Sequence, residues 1–146
     1  MKTMYFAYGL DLEEHTMVDV CPSARFYSFA VLKDHRLKFA SSEQLTGVAS
    51  FTPASFKHYV EGILYEINHS DFIKEEWREG FETKVIKVMT HDGRDLYAVT
   101  LFTDPTKSVL PAQSYLLRLH KKYGDYGFQM RFLEEALMEH SRAPSS

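Results

Sequence analysis

Between Arg25 and Ile67, four segments rich in Val, Ile, Phe and Tyr follow one another with only polar breaks between them. They are Arg25 to Leu32, Leu37 to Ala40, Gly47 to Thr52 and Tyr59 to Ile67, and each reads as a β-strand. Strands that do not alternate regularly with helices exclude a parallel doubly wound sheet, and no Gly-x-Gly-x-x-Gly follows the first strand of the chain. In the longest segment Tyr59, Ile63, Tyr65 and Ile67 share a face. Gly62, inside it, marks either a bulge or a close approach of another backbone.

Further elements flank this block. Met4 to Tyr8 makes an opening strand that ends at Gly9. Asp11 then reads as a helix N-cap, with Glu14 three residues later completing an acidic variant of the capping box and Pro22 ending the helix. Ser70 caps a short helix from Asp71 to Arg78. Strands from Val85 to Met89 and Leu96 to Phe102 are joined through His91-Asp92-Gly93, a strong hairpin signal. Pro111 opens a helix with Tyr115, Leu116 and Leu119 on one face and Gly124 as its C-cap. A last helix puts Phe128, Phe132, Leu133, Ala136 and Leu137 on one stripe. The order β-α-β-β-β-β-α-β-β-α-α predicts an α+β domain on a curled, largely antiparallel sheet. At 146 residues this is one domain over 1–140, with a small polar tail over 141–146 expected to be disordered.

Composition narrows the function. With 17 Lys+Arg against 20 Asp+Glu the chain lacks the positive field of a general nucleic-acid binder. No apolar run approaches the ~18 residues of a membrane span. Cys21 stands alone and the histidines lack ligand spacing, so neither a disulfide nor a metal is expected. The N-terminus lacks the layout of a cleavable signal, so a cytoplasmic protein is expected and the sequon at Asn68 carries no weight.

No serine elbow, P-loop or Cys-His nucleophile pattern occurs, and two features remain. The first is the run Tyr5 to Leu12, where a strand turns through Gly9 towards a helix N-terminus. Backbone N–H groups in such a turn can hold an anion or a developing oxyanion. The second is Glu76-Trp77-Arg78-Glu79-Gly80, where a helix gives way to a strand. At about 100° per residue from Phe72, Glu79 falls at about −20°, flanking the apolar face. A carboxylate there can reach a partly apolar cavity, where desolvation suits it to proton transfer.

Read together, these segments resemble the γ-glutamylcyclotransferase superfamily, which includes the AIG2-like proteins. The family's Tyr-Gly-Ser-Asn-Leu loop is matched by Tyr8-Gly9-Leu10-Asp11-Leu12, and its Pro-x-Ala segment by Pro22-Ser23-Ala24. Leu32-Lys33-Asp34-His35-Arg36-Leu37-Lys38-Phe39 follows the Leu-x-Asp-x-x-Leu-x-Phe pattern, and Gly47-Val48-Ala49 the Gly-x-Ala pattern. The strand Val60 to Ile67 is almost the family's Val-x-Gly-x-Leu-Tyr-Glu-Ile. Glu76 to Gly80 matches its acidic-x-x-Glu-Gly motif, and Pro111 with Tyr115 its Pro-x-x-x-Tyr helix start. The match runs from Tyr5 to about Leu137.

The resemblance implies a small mixed β-barrel with flanking helices around one cavity. It implies an intramolecular reaction in which the α-amine of a γ-glutamyl group attacks its own side-chain carbonyl, leaving 5-oxoproline and releasing an amine. Glu79 is then the general base and acid, and Tyr8, Gly9, Leu10 and Asp11 form the substrate-binding segment. The only partner implied is a small γ-glutamyl substrate, with no cofactor, no nucleic acid and no membrane. Leu10 stands where the family has Ser, Asp11 where it has Asn, Val85 where it often has Tyr, and Thr100 where a second Tyr follows. The alternative is a non-catalytic ligand-binding or interaction module that keeps the cavity.

Overall fold

A computed structural model describes residues 1–41, 47–74 and 80–141. Its strands are β1 (Lys2–Ala7), β2 (Arg25–Lys33), β3 (His35–Ser41), β4 (Gly47–Pro53), β5 (Tyr59–Asn68), β6 (Glu82–Thr90) and β7 (Asp95–Phe102). The helices are α1 (Glu14–Val20), α2 (His69–Phe72), α3 (Gln113–Tyr126) and α4 (Met130–Ser141), with a 3₁₀ turn over Leu10–Leu12. Five strands close a barrel in the order β1-β5-β2-β6-β7, and β3 and β4 form a separate two-stranded sheet. All pairings are antiparallel except the closing one, where β1 meets β7 in parallel at Tyr5 and Val99. The expected mixed barrel with flanking helices is therefore the fold.

Consecutive buried residues of β1 and β5, covered on both faces, drive the closure. Tyr5, Phe6, Ile63, Leu64, Tyr65 and Ile67 are all essentially removed from solvent. Burying a large apolar side chain contributes about 1.5–3 kcal/mol. β5 pairs with β1 on one side and β2 on the other, and Gly62 lies where β1 crosses closest. A Cβ there would sit 2.3 Å from the Ala7 carbonyl oxygen and 2.7 Å from the Phe6 ring. Of the two meanings open for Gly62, close backbone approach is the one realised; the register shift in β2 falls at Phe26 and Ser28 instead. Thr100, buried on β7, donates its hydroxyl to the Phe6 carbonyl at 2.7 Å and so ties β7 to β1.

Element ends differ from the sequence reading in four places. Asp11 does not cap a helix. The chain makes its 3₁₀ turn first, and α1 begins at Glu14 with Glu13 at the cap position. α2 runs from His69 to Phe72, so Ser70 lies inside it, Asn68 precedes it, and Ile73 and Lys74 of the expected helix lie beyond its end; 75–78 lie outside the described residues. α3 starts two residues after Pro111 and runs through Gly124 to a cap at Gly127, whose φ of 70° suits glycine. Tyr123 and Tyr126 continue its inward face past Gly124, which is why the helix does not stop there. Finally, α4 starts after Phe128 and reaches Ser141, one residue into the expected tail; 142–146 lie outside the described residues.

α3 is clamped to the segment after β1. Arg118 donates to both carboxylate oxygens of the buried Glu13, one bond at 3.0 Å, and the Thr16 hydroxyl donates to the same carboxylate at 2.8 Å. Tyr126 donates to the Leu12 carbonyl at 2.9 Å. Arg118 is the chief reason that the Glu13 carboxyl is held at about 2, below its ordinary 4.5. A depressed folded-state value means that the contribution is complete above about pH 4.5 and is lost as pH falls towards 2. Arg118→Met should therefore cost about 1–3 kcal/mol at neutral pH, because it leaves a buried carboxylate short of its donor. It should also flatten the acid limb of stability between pH 4.5 and 2. Thermal melts of both proteins across that range check this; parallel pH profiles would show that the clamp contributes nothing.

Candidate active site

Three stretches far apart in sequence meet around one cavity of about 220 Å³. That volume suits a ligand of amino-acid size, below the ~300–1,000 Å³ of drug-sized pockets. The first stretch is the turn after β1, which contributes Tyr8, Gly9, Leu10 and Asp11. The second is β4, with Val48 and Ala49, and the third is the start of α3, with Tyr115.

Each stretch is shaped for this meeting. A Cβ on Gly47 would lie 1.9 Å from the Val109 carbonyl oxygen, so only glycine lets β4 pack against the segment leading to Pro111. The Gly47 amide donates to the Leu110 carbonyl at 2.9 Å, which fixes that segment and with it the entry to α3. Two residues on, the Ala49 amide donates to the Tyr115 hydroxyl at 2.8 Å. A Cβ on Gly9 would meet that same hydroxyl at 3.1 Å and the Ala49 Cβ at 3.4 Å. The Gly-x-Ala, Pro-x-x-x-Tyr and Tyr-Gly segments are thus parts of one wall. From the barrel, Tyr8 donates its hydroxyl to the Leu101 carbonyl at 2.7 Å, and Leu101 also lines the cavity.

Among the described residues of this lining, Asp11 is the one with an ionisable carboxylate. Its carboxylate accepts from the Tyr5 hydroxyl on one oxygen and from the Gly9 amide at 3.0 Å on the other. Those two donors explain why it is not a helix cap: its oxygens face back towards β1, not forward to the amides of α1. Burial pushes its carboxyl up from the ordinary carboxylate range, against the opposing effect of the Tyr5 and Gly9 hydrogen bonds. Burial, reinforced by Asp11, likewise raises the Tyr5 phenol. The Gly9 amide is therefore occupied. The Leu10 amide, one residue on, has no acceptor among the described residues and is the turn's open donor.

Of the residues singled out in the sequence, Tyr8, Gly9, Leu10 and Asp11 come together on the cavity. Glu79 and its neighbour Glu76 lie outside the described residues. Gly80, directly after Glu79, has φ 86°, a left-handed conformation that explains the glycine in the Glu-Gly pair. Phe81, next along, lines the cavity. Val85 and Thr100 do not line it: Val85 is 70% exposed on β6, and Thr100 is committed to β1. Tyr5 was missed as a site residue. No local signal singles it out, because its neighbours Phe6, Ala7 and Tyr8 are buried as well. No group of His, Cys, Asp and Glu among the described residues could hold a metal ion, and none of their helices is long and apolar enough to cross a membrane.

A closed α+β barrel whose first strand runs into a glycine turn over a small cavity defines the class. No family model matches the chain. Curated γ-glutamylcyclotransferases of Homo sapiens and Bos taurus are 26% and 27% identical to it over 123 residues, or 77% of this chain. The chain spans 65% of the length of those relatives. A solved γ-glutamyl cyclotransferase superimposes with a TM-score of 0.80 at 22% identity, over 93% of this chain and 86% of that one. The chain is similar in sequence to γ-glutamylcyclotransferases and has their fold.

Proposed function

We propose that this protein is a γ-glutamylcyclotransferase-like enzyme that cyclises a γ-glutamyl amine or peptide to 5-oxoproline and releases the amine. The observation that carries the reading is the convergence of the Tyr8–Asp11 turn, Val48-Ala49 and Tyr115 on one small cavity. Nucleophile and electrophile belong to one molecule, so a cavity that folds the γ-glutamyl group into its cyclic conformer supplies much of the rate gain. The α-amine attacks the γ-carbonyl and closes a five-membered ring. The carbonyl oxygen takes up negative charge, and the C–N bond to the leaving amine then breaks. The Leu10 amide is suited to the carboxylate or the oxyanion, each such donor being worth about a hundredfold or more in rate.

Glu79 takes the proton from the α-ammonium and returns one to the leaving nitrogen. Support for this role comes from its position in the acidic-x-x-Glu-Gly motif and from Phe81, two residues on, lining the cavity. The deciding experiment is an assay of 5-oxoproline release across a panel of γ-glutamyl amines and peptides. Turnover of at least one panel member is expected. Tight binding of γ-glutamyl compounds without any turnover would favour the alternative, a ligand-binding module that keeps the cavity.

A further inference from the structure

Asp11 is a carboxylate on the cavity with no ion-pair partner among the described residues. Among the described residues the ion pairs join Glu13, Asp71, Asp92, Asp95, Asp125, Glu135 and Glu139 to basic partners, and Asp11 is in none of them. Its neighbours on the cavity wall are mainly apolar: Leu10, Val48, Ala49, Phe81 and Leu101. Its donors, the Tyr5 hydroxyl and backbone amides of the turn that include Gly9, are all neutral. Neutral donors of this kind orient the carboxylate and stabilise it, but they bring no positive charge to it. An ionised group removed from water with only neutral partners is costly, and a cation that shares the cavity relieves that cost.

We propose that Asp11 makes this cavity a binding site for a primary ammonium group, which supplies the carboxylate with the cationic partner it lacks among the described residues. The Tyr5 hydroxyl and Gly9 amide hold the carboxylate in one orientation, so little ordering remains to be done when the cation arrives. The groups around Asp11 do not compete for it. Tyr5 and Tyr8 on β1, Tyr65 on β5 and Tyr115 on α3 are phenols raised by burial, and each stays neutral through the range in which a carboxylate titrates. Leu10 and Asp11, adjacent in the turn, then offer an amide for an anion and a carboxylate for a cation. That is the pattern of an amino acid's own head group.

Two ammonium groups fit this chemistry: the α-ammonium of a γ-glutamyl group, or a second ammonium on the leaving amine. Assigning either to a γ-glutamyl compound rests on the activity proposed above; cation binding itself does not. Calorimetric titration separates the cases with three probes. L-glutamine carries the α-ammonium, glutaramate is the same molecule without it, and the 4-aminobutyl amide of glutaramate carries the cation on the leaving side only. At pH 7 wild type is expected to bind one of the two cationic probes about tenfold or more tighter than glutaramate, and Asp11→Asn is expected to abolish that preference. The probe that shows the effect names the source.

In wild type, affinity for the preferred cation should also fall as pH drops through the raised range of Asp11, where the carboxylate takes up a proton. This measurement needs no variant, and melting curves report whether Asp11→Asn is folded. Equal affinity of wild type for all three probes overturns the proposal, as does a preference that survives in folded Asp11→Asn. An Asp11-dependent preference in a protein that releases no 5-oxoproline would leave the cation site standing and remove the proposed activity instead.

Discussion

Glu79→Gln is expected to lower kcat for 5-oxoproline release by about a hundredfold or more, with a modest change in KM. The substitution keeps the size and hydrogen-bonding capacity of the side chain but removes its ability to accept a proton at neutral pH. Cyclisation cannot begin while the α-amine is protonated, and it cannot finish until the leaving nitrogen gains a proton. Both transfers belong to the transition states, so losing them lowers kcat and leaves ground-state binding largely in place. Glu76, three residues earlier in the same acidic segment, is the internal competitor, and Glu76→Gln should change stability while turnover continues. The measurement is steady-state 5-oxoproline release from whichever γ-glutamyl compound the wild type accepts. Wild-type turnover by Glu79→Gln, or loss of turnover by Glu76→Gln alone, would overturn the assignment. The two carboxylates proposed to matter are separable: Asp11→Asn is read in the binding of a cation, Glu79→Gln in the rate of a chemical step.

What could be read from the sequence was whatever local pattern encodes. The strands from Arg25 to Ile67 are legible because β-branched and aromatic residues alternate there without competing signals, and the hairpin at Gly93 because its φ of 87° calls for glycine. Asp34, the turn between β2 and β3, likewise carries a φ of 61° that Asp tolerates better than most residues. Helix ends were less legible, because Gly124 within α3 and Gly127 just after it both suit a cap. The choice of Gly127 over Gly124 was made by Tyr126, whose hydroxyl must reach the Leu12 carbonyl.

The Asp11 reading failed for the same kind of reason. Local chemistry favours Asp as a cap, but Tyr5, six residues earlier on the inward face of β1, offers a buried hydroxyl that takes the carboxylate away. Cap preference is worth about 1 kcal/mol, which a hydrogen bond to a buried charged group readily exceeds. The Glu13–Arg118 clamp spans 105 positions and leaves no local trace. The wall of the cavity is a similar case. The resemblance named the Tyr-Gly, Gly-x-Ala and Pro-x-x-x-Tyr segments separately, and only the closed barrel shows that the Ala49 amide, the Tyr115 hydroxyl and the open face of Gly9 touch.

Gly62→Ala is the substitution expected to damage the fold most directly. The added Cβ would lie 2.3 Å from the Ala7 carbonyl oxygen and 2.7 and 2.8 Å from two atoms of the Phe6 ring, distances at which something must move. The Phe6 ring could rotate in a looser environment, but it is fully buried, and the Ala7 carbonyl belongs to backbone paired with β5 through Ala7 and Ile63. Relief therefore requires β1 and β5 to separate at the seam that closes the barrel. Overpacking of this kind typically costs about 1–3 kcal/mol, and a clash with paired backbone belongs at the upper end. For a domain of this size about 3 kcal/mol corresponds to a fall in Tm of roughly 6–12 °C. The damage should also reach the site, because Ala7 leads directly into Tyr8 and Gly9, and the Tyr8 hydroxyl must still find the Leu101 carbonyl. Calorimetric melting of the variant checks the first effect, and its Asp11-dependent cation preference below the melting range checks the second. A variant that melts with wild type and keeps that preference would mean that β1 and β5 part at this seam with little resistance, and that Gly62 is there for some reason other than close approach.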